Sequence, residues 1–128
     1  MAFYLDTSAF LKLLVTEAET PAMRAWFAAD RSCWSSQLLV TEALRAGQRL
    51  GLDLDDVNQA LDSVSLVLPS ATTFHHAGTV PPPSLRSLDA LHVAGAMELG
   101  SDLEAVVAYD ARLIESVRAA GLTVISPG

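Results

Sequence analysis

Four acids stand where a folded chain could put them to use: Asp6, Glu42, Asp89 and Asp110. Asp6 and Asp110 each follow a short apolar run, in Leu5-Asp6 and Tyr109-Asp110, and each opens a helical pattern. In open parallel sheets such strand ends line the ligand crevice. Each acid also has a purely structural role open to it. Aspartate is a common helix cap, which covers Asp6 and Asp110. Asp89 sits in the first turn of Ser87-Leu88-Asp89-Ala90-Leu91-His92, where the helix dipole favours a negative charge by about 0.3–1 kcal/mol. Glu42 can pair along its helix with Arg45 or Arg49. Carboxylates brought to about 4 Å from one another repel by roughly 4 kcal/mol at an effective dielectric near 20, so a cluster of them would need a cation. A hard divalent ion with oxygen ligands suits such a set, whereas the His and Cys spacings of a zinc site are absent. His75 and His76 are adjacent and would diverge by about 100° on a helix. His92, three residues after Asp89, is close enough along the helix to approach the site, but packing on the helix face is favoured over ligation. Cys33 lies in an apolar run beside Trp34 with no histidine near it in sequence, a poor setting for a nucleophile.

The elements that must position these acids alternate along the chain. Strands are expected at Ala2 to Leu5, Ser32 to Ser35, Leu66 to Leu68, Glu104 to Tyr109 and Leu122 to Ile125. Helices are expected from Thr7 to Glu17, Glu19 to Ala29, Ser36 to Leu50, Asp53 to Ser63, Phe74 to Thr79, Arg86 to Leu99 and Asp110 to Ala120. Gly51, Gly100 and Gly121 stop three of them, and Leu88, Leu91, Gly95 and Leu99 mark one side of the late helix. Val80-Pro81-Pro82-Pro83 is read as a stiff loop inside the domain. Regular alternation of this kind implies a mostly parallel sheet covered on both faces.

A chain of 128 residues, 51% of them apolar, is expected to form one domain over residues 1–128, and a disordered chain is excluded. A single cysteine points to a reducing cytoplasm, and no apolar run reaches the roughly 20 residues of a membrane span. A formal net charge of −7 excludes broad charge neutralisation as a way of holding nucleic acid.

Taken jointly, Tyr4-Leu5-Asp6-Thr7-Ser8-Ala9, Thr41-Glu42, Leu85-Arg86-Ser87-Leu88-Asp89-Ala90-Leu91-His92 and Ala108-Tyr109-Asp110-Ala111-Arg112-Leu113 resemble the PIN-domain family. The likeness is to the VapC-type ribonuclease toxins of bacterial toxin–antitoxin pairs. It covers essentially the whole chain, and the late-helix stretch is its most specific piece. The resemblance implies a three-layer α/β/α sandwich with a central, mostly parallel sheet of four to five strands. It implies that Asp6, Glu42, Asp89 and Asp110 form one acidic pocket holding Mg²⁺ or Mn²⁺, with Thr7 and Ser8 as supporting hydroxyls. In some relatives a further acid follows the last aspartate closely; here Ala111 and Arg112 stand there, which leaves one or two ions open. The implied reaction is hydrolysis of an RNA phosphodiester by metal-activated water.

Grip on RNA would fall to few cations, with Lys12, Arg45, Arg86 and Arg112 the candidates by their closeness to the acids in sequence. A VapB-type antitoxin and a homodimer follow from the resemblance as partners; Met23, Trp26, Phe27 and Leu50 are interface candidates, with core packing the favoured role of Met23, Trp26 and Phe27 at i, i+3 and i+4. The rival reading is a PIN-like module that binds RNA or protein without catalysis. A receiver domain is excluded by the lack of a late lysine, the only one being Lys12, and a haloacid-dehalogenase-like phosphatase by Ser8 two places after Asp6.

Overall fold

The computed structural model describes residues 1–128. Five strands, β1 (Ala2–Leu5), β2 (Ser32–Ser36), β3 (Ser65–Val67), β4 (Leu103–Val107) and β5 (Val124–Ile125), form one sheet. Every pairing is parallel and the order is β3-β2-β1-β4-β5. The helices are α1 (Thr7–Leu11), α2 (Thr20–Ala28), α3 (Leu38–Leu50), α4 (Leu54–Leu61), α5 (Ala71–Ala77), α6 (Ser87–Met97) and α7 (Ala111–Ala119). This is the three-layer α/β/α arrangement with a parallel sheet expected from the sequence.

The period-2 alternation of the strands divides the core between the two faces. Tyr4 and Val106 point into one apolar cluster with Val93 and Ala94 of α6 and Leu113 and Val117 of α7. Phe3, Leu5, Ala105 and Val107 point into another with Ala9 and Met23. A third cluster joins Phe10 to Leu39 and Ala43 of α3 and Val57 and Leu61 of α4. Strands β1 and β4 are thus apolar on both sides, as the central strands of a covered parallel sheet must be.

Several boundaries differ from the expected ones, for local reasons. Helix α1 stops at Leu11, and Lys12 to Val15 continue as turns. Helix α5 begins at Ala71 because Ser70 and Thr73 form a reciprocal capping box, each side chain meeting the other residue's backbone N–H. Helix α6 buries only part of the side expected of it, for Leu91 is buried and Leu99 packs against the core but Leu88 does not. Leu88 is 48% exposed, while Ala90 to Ala94 and Ala96 are buried, because this short, alanine-rich helix is packed on nearly all sides. Met23 is fully buried and Trp26 stacks edge-on against Phe3 with centroids 5.1 Å apart, the core packing favoured for them by their helical spacing, and of the interface candidates only Leu50 is well exposed. No helix is long and apolar enough to cross a membrane.

Strand order turns at β1. From there β2 and β3 lie on one side and β4 and β5 on the other. The crevice at such a turning point opens beyond the carboxyl ends of the two central strands. Leu5 pairs with Val107 at that end, and the next residues of the two strands lead into Asp6 and Asp110.

Candidate active site

Asp6 is the most enclosed of the four acids, at 3% exposure. Its carboxylate caps α1 by accepting the Ala9 N–H at 2.8 Å, and it accepts the Ser8 hydroxyl at 2.7 Å. Its own N–H donates to the Val107 carbonyl at 3.2 Å, which ties it to β4. Asp110 caps α7 by accepting the N–H groups of Arg112 and Leu113 at 2.9 and 3.2 Å. The structural role open to these two aspartates is therefore real, and it also fixes where their charges sit.

Asp89 enters from α6, in the first turn and half-buried. Burial first, and then the nearby charges of Asp110 and Glu42, raise its carboxyl above the ordinary range; His92 and Arg86 oppose this. Burial is also the main cause for Asp6, with Asp110 adding to it, and together they push that carboxyl up to about 6 against the hydrogen bonds from Ala9 and Ser8. Asp110 thus acts on both Asp6 and Asp89, and Glu42 acts on Asp89. Four segments of the chain bring their negative charges into one neighbourhood.

Glu42 does not pair with an arginine along its helix. Its Oε1 lies 2.7 Å from Nε2 of His92, and Thr7 Oγ1 lies 3.2 Å from the same nitrogen. The other ring nitrogen, Nδ1, is 2.8 Å from the Tyr4 hydroxyl. His92, for which packing is favoured over an approach to the site, is therefore bonded at both nitrogens and reaches one of the acids. Its place three residues after Asp89, on the same helix face, was the signal available in the sequence. Ser8 has a double task, since it donates to Asp6 and accepts the backbone N–H of Tyr109 at 3.0 Å.

The cations divide sharply. Lys12 is bound to Glu19 at 2.8 Å and Glu17 at 3.2 Å with its side chain only 12% exposed, so it is spent within the protein and is not free for a substrate. Arg86 and Arg112 line an open cavity of about 350 Å³ together with Asp89 and Asp110. A second groove of about 340 Å³ carries Thr7, Glu42 and Leu88 together with Arg45 and Arg49. None of these four arginines makes an ion pair, in a chain with 15 acids. Arg49, a partner open to Glu42 by helical spacing, lies one turn beyond Arg45 on the same exposed face.

The acids are neighbours without forming a finished cage, for no group of three His, Cys, Asp and Glu side chains is arranged to hold a metal ion. What fits a divalent cation is the chemistry of the donors. They are all carboxylates, one is nearly fully buried, and two have raised pKa values in part because of the other acids. A hard cation relieves that repulsion and takes oxygen ligands.

Comparison with known proteins agrees with this architecture. The PIN domain profile matches residues 3–119. The chain belongs to the PIN-domain family. Within that family its relatives are VapC-type toxins. It is 35% identical to Ribonuclease VapC47 of Mycobacterium tuberculosis over 98% of this chain and 96% of that one. It is 38% identical to Ribonuclease VapC35 of the same organism, again over 98% and 96%. Among solved structures, M. tuberculosis VapC20, described as a sarcin-ricin loop cleaving toxin, superposes with a TM-score of 0.76 at 17% identity, covering 98% of this chain and 99% of that one. VapBC2 from Rickettsia felis, solved with a DNA fragment of its promoter, gives 0.68 at 14% identity with 100% of both chains covered. At those identities the two structures speak for the fold.

Proposed function

We propose that this chain is a divalent-metal-dependent endoribonuclease, the toxin of a toxin–antitoxin pair. The observation that carries the reading is the meeting of Asp6, Asp89 and Asp110 at the turning point of strand order. Its relatives named as ribonucleases support the same chemistry.

Asp6, Glu42, Asp89 and Asp110 would hold Mg²⁺ or Mn²⁺. When bound, such an ion supplies the Lewis acidity that activates water and neutralises charge developing on the phosphate. The chain's own residues do the rest. Ala9 and Ser8 fix the Asp6 carboxylate, and the Arg112 and Leu113 N–H groups fix Asp110, so the acids are oriented before substrate arrives. Arg86 and Arg112 on one side and Arg45 and Arg49 on the other offer unpaired guanidinium groups to the phosphates flanking the scissile bond. Four arginines are a sparse grip, which fits selection of an RNA shape or loop over tight general binding.

Discounting the four pocket acids brings the net charge from −7 to −3, and two divalent ions would balance the pocket completely. The sparse basic surface and the single free thiol, Cys33, fit an RNA-cutting toxin working in the cytoplasm as one domain. Its control would come from a VapB-type antitoxin covering the acidic site, with a homodimer as the working assembly.

Purified protein incubated with structured RNAs tests the reading, with Mg²⁺ or with chelator, beside Asp89→Asn. Cleavage that needs the ion, is lost on substitution and leaves a 5′-phosphate and a 3′-hydroxyl is the expected result. A 2′,3′-cyclic phosphate, or cutting that ignores the chelator, contradicts it. Binding without cleavage favours the non-catalytic module.

A further inference from the structure

The acids and arginines leave one buried histidine without a task. His92 is 2% exposed, in a helix whose other buried residues are alanine, leucine and valine. Both ring nitrogens have partners: Tyr4 on Nδ1 at 2.8 Å and Glu42, one of the four acids, on Nε2 at 2.7 Å. Burying an imidazole costs free energy unless both nitrogens are satisfied, so the pairings select one orientation of the ring.

The proton arrangement follows from the partners. A bare Nε2 facing a carboxylate oxygen at 2.7 Å would be repelled, so Nε2 carries hydrogen and donates to Glu42, with Thr7 Oγ1 at 3.2 Å as a weaker second acceptor. Nδ1 is then the acceptor for the Tyr4 O–H. Tyr4 can reach it because residue 95, one turn on from His92, is glycine. A Cβ there would sit 3.2 Å from the Tyr4 hydroxyl oxygen and 3.6 Å from its ring, tighter than an ordinary contact.

Glu42 depends on this arrangement. It makes no other hydrogen bond or ion pair, and it lies on a helix whose arginines point to the groove without touching it. A glutamate has three side-chain torsions to fix, and leaving them free weakens any ligand it contributes to. One oxygen is pinned by His92, and Oε2 remains for a cation.

We propose that His92 is a positioning residue for Glu42, and that the buried Tyr4–His92 pair, given room by Gly95, sets the direction of that carboxylate for the divalent ion. The inference rests on the acidic pocket being a cation site. Groups that hold a ligand in this way typically contribute 10–100-fold to metal affinity.

Mn²⁺ binding without RNA, followed through the electron paramagnetic resonance signal of the free ion, reads this without any turnover. Five variants are compared with the unsubstituted chain: Tyr4→Phe, His92→Gln, His92→Leu, Glu42→Gln and Glu42→Gln with His92→Leu. His92→Leu should weaken binding by about 10–100-fold, and Tyr4→Phe by a smaller factor. His92→Gln, which keeps an N–H near the Nε2 position, should recover much of the loss. In the Glu42→Gln background, removing the imidazole should cost nothing more, because its effect passes through Glu42.

Should His92→Leu fail to fold, Tyr4→Phe and His92→Gln carry the comparison, since each preserves most of the buried volume. Wild-type affinity in a folded Tyr4→Phe or His92→Leu protein would overturn the proposal and leave His92 a structural residue. So would losses that multiply in the double variant. An unsubstituted chain that takes up no Mn²⁺ removes the cation site itself, and this inference with it.

Discussion

Ser8 joins two parts of the chain that lie 101 residues apart, accepting the backbone N–H of Tyr109 through the same hydroxyl that donates to the Asp6 carboxylate at 2.7 Å. The bond stitches the loop after β1 to the loop after β4, and so sets Asp6 beside Asp110. Substitution Ser8→Ala leaves the Tyr109 N–H without its partner and holds the Asp6 carboxylate by the Ala9 N–H alone. We expect a loss of stability of about 1–3 kcal/mol, read as a lower Tm, and a fall in cleavage of about 10–100-fold.

Asp6 makes the stability of the metal-free protein depend on pH with a definite sign. Its carboxyl ionises near 3.8 in the unfolded chain and at about 6 when buried. Below both values the group contributes nothing. Between them the folded state holds a proton that the unfolded state has lost, so stability falls as pH rises. Above pH 6 a constant penalty of roughly 3 kcal/mol remains. Thermal unfolding in chelator should therefore show this contribution decline from pH 4 to pH 6. Added Mg²⁺ should raise Tm more at pH 7.5 than at pH 5, and an increment that is the same at both would contradict the assignment.

Asp6→Asn removes that buried charge while an amide oxygen can still accept the Ala9 N–H. The variant should be at least as stable as the parent at pH 7 in chelator, lose the Mg²⁺-dependent rise in Tm and cut no RNA. Stability gained where function is lost is the usual signature of a site strained for its task.

The four mouth arginines should act on binding more than on the chemical step. Replacing Arg45 with Arg49, or Arg86 with Arg112, by alanine should raise KM with kcat little changed. Each pair should also reduce the salt dependence of RNA binding by about 1.4 in log–log slope, at roughly 0.7 per phosphate contact on a single strand. Lys12→Ala should leave that slope unchanged, because the ammonium is already held by Glu17 and Glu19. Filter binding across a salt series checks all three.

Much of the fold is legible in the sequence because β1, β4 and β5 are largely apolar runs and a glycine follows each of α3, α6 and α7 within a few residues. Gly51, Gly100 and Gly121 all adopt positive φ, where side-chain-bearing residues rarely go. The meeting of acids is legible in part, since Asp6 and Asp110 end adjacent strands in a sheet whose order turns between them. What local spacing does not carry is partnership across the fold. Lys12 stands near Asp6 in sequence, yet the turns after α1 direct it to Glu17 and Glu19. Glu42 has Arg45 at helical spacing and bonds instead with His92, 50 residues away. Leu88 matches the apolar side of its helix by spacing and stands exposed at the mouth of the groove. In each case tertiary packing decided among options that local periodicity left equal.

The central claim is that Asp6, Glu42, Asp89 and Asp110 share a captured divalent ion. A crystal of the chain soaked in Mn²⁺ and measured for anomalous scattering tests it most directly. The account predicts a peak bounded by the Asp6, Asp89 and Asp110 carboxylates, with Glu42 reaching it through Oε2 while Oε1 stays on His92. Density that stays flat there while the ion binds elsewhere would contradict it.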